Sequence, residues 1–126
     1  MGYFFDDDKG KIIPRTLLWT NPAPNSNFAA QTLNIDMSGY DCVEIELSQG
    51  ELERLPVGVT EYDRHSITLQ TVNAQLNRIG IQMRTLTVTG PNQILIGDAY
   101  SISSSDFTTR TYNNLLVPYK IYGIKY

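Results

Sequence analysis

Leu17 to Leu47 read LLWTNPAPNSNFAAQTLNIDMSGYDCVEIEL, and this stretch decides the fold. Leu33, Ile35 and Met37 alternate with Asn34 and Asp36, and Val43, Ile45 and Leu47 alternate with Glu44 and Glu46. Period two places the apolar set on one face of a strand and the polar set in water. Ser38-Gly39 breaks the two runs, as a turn would. The stretch predicts half-buried antiparallel strands, with the carboxylates of Glu44 and Glu46 on the solvated side.

The pattern continues outward in both directions. Thr16 to Thr20 reads as a strand before a loop at Asn21 to Asn27, where two prolines remove donors and three asparagines favour turns. Phe28 to Met37 and Cys42 to Leu47 follow. Pro56 and Gly58 mark residues 51–66 as an edge or irregular segment, and Tyr62 to Val72 resumes alternation with Ile67 and Leu69 inward. Asn73 to Asn77 has the composition of a helical turn at most. Ile79, Ile81 and Met83 are followed by Leu86 and Val88 in the opposite parity, which implies a bulge near Arg84-Thr85 or a second strand. Thr89 to Asn92 reads as a hairpin turn into Ile94 and Ile96. Gly97 to Asn114 is Ser/Thr-rich, anchored by Tyr100, Ile102 and Phe107, and Leu115 to Tyr126 is a final strand. About eight strands with regular turns predict an all-β, antiparallel, jelly-roll-like sandwich. Residues 1–11 form an N-terminal arm and residues 12–126 a single sandwich domain. Tyr3, Phe4 and Phe5 on the arm are candidate docking residues.

Composition narrows the function. Twelve Thr, nine Asn and eight Ser supply polarity in place of charge, and the net charge is −3. The cations are dispersed, so the clustered Lys/Arg of a nucleic-acid surface is missing. No apolar run approaches the roughly 18 residues that span a bilayer, and the acidic N-terminus does not read as a signal peptide. Cys42 is the only cysteine, which excludes an intrachain disulfide.

No reactive constellation emerges. His65 is the only histidine and reads as a strand-edge imidazole. Glu44 with Glu46, or Glu51 with Glu53, has the strand spacing of an acid/base pair. An exposed face, however, lacks the desolvation that separates their pKa values. Asp6, Asp7 and Asp8 are consecutive and do not converge as calcium ligands do. No catalytic, cofactor or metal residues are assigned, and the chain is expected not to be an enzyme. The C-terminal tyrosines Tyr100, Tyr112, Tyr119, Tyr122 and Tyr126 suit core packing, a subunit interface or a glycan platform.

Leu18 to Pro22, Phe28 to Gln31 with Leu33, Ser38 to Asp41, Val43 to Ile45, and Pro118 to Lys125 fall within residues 17–47 and 117–126, about a third of the chain. Together they resemble a small family of tail- and fibre-associated structural proteins of tailed bacteriophages and prophages of Gram-positive bacteria. The resemblance implies a virion structural protein, made in the host cytoplasm, that packs as a homo-oligomer (a trimer by analogy) against other virion proteins. It carries over no catalytic residues. Under this reading the interface candidates are Tyr3, Phe4, Phe5, Tyr119, Tyr122, Ile124 and Tyr126, and a host cell-surface glycan is the further partner. A carbohydrate-binding sandwich and a capsid decoration or head-fibre protein are the alternatives.

Overall fold

The computed structural model describes residues 2–6, 11–48, 52–57, 63–73 and 78–126, with side chains at 14–48, 52–55, 57 and 79–126. The strands are β1 (Gly2–Asp6), β2 (Lys11–Thr20), β3 (Gln31–Asn34), β4 (Cys42–Leu47), β5 (Leu52–Pro56), β6 (Asp63–Asn73), β7 (Arg78–Gly90), β8 (Gln93–Ser103), β9 (Thr109–Thr111) and β10 (Pro118–Ile124). They form two antiparallel sheets. Sheet A has the order β1-β2-β10-β4-β5; sheet B has the order β3-β8-β7-β6, with β9 on β8. The chain crosses between sheets after β2, β3, β5 and β9, the jelly-roll-like trait. β3-β8-β7-β6 is a Greek-key order, with three hairpin-joined strands and a fourth laid beside one end. The all-β sandwich expected from the alternation is therefore present. The count exceeds eight because the arm contributes β1 and the Ser/Thr-rich segment contributes β9.

One core lies between the sheets. Val43, Ile45 and Leu47 of β4 pack with Leu55 and Ile121 from sheet A and with Leu33, Leu86, Val88, Ile94 and Ile96 from sheet B. Burying each such side chain contributes about 1.5–3 kcal/mol. Ile121 stands opposite Ile45 and Gly123 opposite Val43, so register sends both alternating sets inward together. The segment read as one strand from Phe28 to Met37 is strand only at its centre. Phe28, Ile35 and Met37 still reach the core from the flanking loops.

Turn chemistry follows residue type. Asp36 Oδ1 accepts from the Ser38 amide at 3.1 Å, and Gly39 takes φ +87°, a conformation that costs glycine nothing. The β7–β8 turn presents the Pro91 and Asn92 carbonyls to the amides of Met37 and Ile35 at 2.8 and 3.0 Å. The anticipated irregularity near Arg84 is also present: the β7–β8 register shifts between Arg84 and Leu86. The extra residue sits on β8, at Gly97-Asp98. Arg84, Leu86 and Val88 consequently keep one parity and share the core face. Ile79 and Ile81 lie on the opposite, open face, 45% and 39% exposed. Phe107 is 76% exposed with φ 56° and is not an anchor. It closes the β8–β9 turn, donating its amide to the Ser103 carbonyl at 2.8 Å.

The arm is paired. β1 runs antiparallel to β2, from Gly2 opposite Arg15 to Asp6 opposite Lys11. β10 pairs with β2 only as far as Arg15, so residues 11–14 extend past the sandwich with β1 as their partner. At the other end, where β10 begins, β7 and β8 run beyond β3 and pair with β6 and β9. The two extensions leave opposite ends of the sandwich. The side chains of Ile67 and Leu69, expected to point inward, and residues 74–77 of the expected turn lie outside the described residues, while Asn73 ends β6.

Candidate functional site

The outer face of sheet A carries a charge cluster at its centre. Glu44 stands opposite Tyr122 on one side and Arg54 on the other. Its Oε1 accepts from Arg15 Nη1 at 2.7 Å and its Oε2 from Arg54 Nε at 3.1 Å. The Arg15 guanidinium also lies 4.1 Å over the Tyr122 ring, a cation–π contact. Glu44 is 4% exposed, which corrects the expectation that its carboxylate is solvated. Alternation correctly placed it on the outer face, but two arginines and a tyrosine from neighbouring strands roof it over. Each carboxylate oxygen holds a guanidinium, so the group serves to bind strands β2, β4 and β5 together. Glu46 is half-buried, one register step away opposite Lys120. Glu51 lies outside the described residues, so the pair it would form with Glu53 is not seen.

Beside this cluster Cys42 and Ile124 form a second small apolar centre. Burial pushes the Cys42 thiol above its ordinary pKa. Tyr126 Oη sits 3.7 Å from Cys42 Sγ, and this contact raises the phenol in turn. Asp41 ties the segment down, accepting from the Tyr126 amide at 2.7 Å and Lys125 Nζ at 3.4 Å. The amide bond holds the Asp41 carboxyl below the usual carboxylate range.

A second buried charge fixes the opposite end. Arg84 is 0% exposed. Its Nη1 donates to the carbonyls of Phe28 at 2.8 Å and Gly97 at 2.7 Å; its Nη2 donates to those of Leu115 at 2.8 Å and Asn113 at 3.2 Å. The Phe28 ring lies 5.7 Å from the guanidinium carbon. Desolvation lowers the Arg84 pKa to about 10, opposed by the Asp98 carboxylate. Asp98 Oδ1 accepts from the Ala30 amide at 2.8 Å and Asn113 Nδ2 at 3.0 Å. One side chain thereby staples the β2–β3 loop and the β9–β10 connection to the β8 bulge. Leu116, next in line, is buried at φ 48°, a left-handed conformation that a non-glycine residue holds only when its surroundings enforce it.

The interface candidates separate on this framework. Tyr122 is 9% and Ile124 0% exposed, and β10 is flanked on both edges by β2 and β4. Neither residue is open to another subunit, contrary to the expectation placed on the C-terminal strand. Tyr119 is half-buried against the core. Tyr126 is 62% exposed. Tyr3, Phe4 and Phe5 lie on β1, with side chains outside the described residues, as does the imidazole of His65. Open apolar side chains lie on both sheets, Leu17 and Leu52 on sheet A and Ile79, Ile81 and Leu95 on sheet B, where Ile81 stands opposite Ile102. Among the described residues no group of three or more His, Cys, Asp or Glu is placed to hold a metal ion. Asp7 and Asp8 lie outside them. No described helix is long and apolar enough to cross a membrane. Comparison with protein-family models, curated proteins and solved structures gave no match.

Proposed function

We propose that this chain is a non-enzymatic structural protein of a tailed-bacteriophage virion, tail- or fibre-associated, acting by subunit packing with a host-facing surface as its further role. The observation that carries the reading is the pair of extensions at opposite ends of a sandwich pinned from within. The β1–β2 hairpin leaves one end, and the β6–β9 ribbon with open Ile79 and Ile81 leaves the other. Such a body can touch neighbours on two sides. Buried Glu44 and Arg84 resist shear between strands, because separating a buried ion pair or stripping a buried guanidinium costs several kcal/mol. The sequence resemblance carried by the runs between Leu18 and Ile45 and by Pro118 to Lys125 supports the same role.

The test is mass spectrometry and immunogold labelling of phage particles purified from the strain carrying the gene. Stoichiometric copies on tails or fibres are expected. Labelling confined to heads would favour the decoration alternative, and absence from particles would refute the virion reading.

A further inference from the structure

Among the described residues, the free edges of both sheets differ in protection. A strand edge exposes unpaired N–H and C=O groups, and proteins blunt it with short length, charge or proline. β3 has four residues and β9 three. β1 and β5 have five each, β1 ending in Asp6 and β5 containing Glu53, Arg54 and Pro56. β6 has eleven residues, bonded on one side to β7 along its whole length. Its only formal charges, Asp63 and Arg64, sit at the start. Ser66 to Asn73 (SITLQTVN) contains no charge, no proline and no glycine, and is rich in residues of high β propensity. β6 is the long edge without a gatekeeper.

The strand is also complementary to itself. Laid antiparallel on a second β6 about a two-fold axis at Thr68, Ile67 meets Leu69, Ser66 meets Gln70, and Thr68 meets Thr68. Arg64 meets Val72 and Asp63 meets Asn73, so no like charges face each other. Apolar–apolar and Thr–Thr pairs are the favourable cross-strand combinations, and a two-fold contact is the commonest closed arrangement. We propose that β6 pairs with β6 of a second copy in this register, continuing sheet B across the two chains. The inference rests on the subunit-packing part of the function above and is independent of its virion part. It implies an even-numbered assembly, where the resemblance implies a trimer.

Thr68→Cys tests the register on the full chain. Oxidised by air with copper–phenanthroline, it is expected to convert mostly to a covalent dimer, because paired strands bring the two Cα atoms within disulfide range. Thr71→Cys, whose two copies would lie roughly 20 Å apart along the strands, is expected to form no covalent dimer. Light scattering of the wild type should give about 28 kDa, twice the 14.2 kDa chain, and Thr68→Lys should halve it. Equal cross-linking of both cysteine variants, none in Thr68→Cys, or a wild-type mass of one or three chains would overturn the proposal. A dimer that never appears in particles would leave it standing and defeat the virion reading instead.

Discussion

Replacing Arg84 by Met removes a buried charge and keeps an unbranched chain of similar reach. Two opposed effects follow. Relief of desolvation favours the variant: the lowering of the guanidinium pKa to about 10 corresponds to roughly 3 kcal/mol. The sign is that of a depressed base. Above pH 10 and up to the ordinary arginine range the folded state binds fewer protons than the unfolded one, so the penalty is fully present below pH 10 and fades only above it. Against this stands the loss of bonds to the carbonyls of Phe28, Gly97 and Leu115 at 2.7–2.8 Å, and a weaker one to Asn113 at 3.2 Å. Hydrogen bonds to a charged donor contribute about 1.5–3 kcal/mol each. Three strong bonds outweigh the relief, and Arg84→Met is expected to lose about 4 kcal/mol at neutral pH, or roughly 12–20 °C in Tm at this chain length. Trp19 is a built-in reporter, because its ring lies 6.2 Å from that of Phe28, whose carbonyl Arg84 holds. Urea denaturation followed by Trp19 fluorescence measures the change. A variant within 1 kcal/mol of wild type, or one more stable, would refute the assignment of Arg84 as a net stabilising staple.

Glu44→Gln should cost about 2–3 kcal/mol in the same assay, since it leaves Arg15 and Arg54 facing each other without their shared anion; Glu46→Gln should stay within about 0.5 kcal/mol. Gly97→Ala should lose about 1–3 kcal/mol, because the new methyl meets Thr85 Oγ1, and Thr85→Ala should restore part of it in a double-mutant cycle. Gly123→Ala should be the harsher change, its Cβ falling 2.7 Å from carbons of the Tyr40 ring. The hold of Asp41 on Tyr126 should be intact above the ordinary carboxylate range and lost as pH falls through the lowered folded value. Amide exchange at Tyr126 should then accelerate only below that range, and Asp41→Asn should abolish the dependence.

What could be read in advance follows from the range of each interaction. The irregularity beside Arg84 coincides with a change of apolar parity along β7, but that change marks an open against a buried face, and the extra residue sits on β8. The inward set Val43, Ile45 and Leu47 is written in local parity, a property of neighbours two residues apart. The buried state of Glu44 is not, because its arginines lie 29 and 10 residues away and meet it only through strand order. Arg84 did carry a signal: it shares parity with Leu86 and Val88, and a charged residue on a core face must bring its own partners. Its partners are main-chain carbonyls, which no residue pattern announces. Tyr122 and Ile124 are interface candidates through the resemblance, and nothing in VPYKIYGIKY says that it inserts between two earlier strands.

That insertion sets the order of events as the polypeptide leaves the ribosome. The β4–β5 and β6–β7–β8 hairpins join near neighbours and can form early. Strands β2 and β4 flank a vacant slot until residues near 124 emerge, because their shared partner arrives last. Closing that slot spans about a hundred residues of intervening chain, an entropic toll on rate more than on final stability. Until it fills, sheet A exists as two separated pieces, and a ribosome-stalled chain with β10 still inside the exit tunnel should be captured by chaperones or proteases, while one carrying an added linker long enough to expose β10 should not.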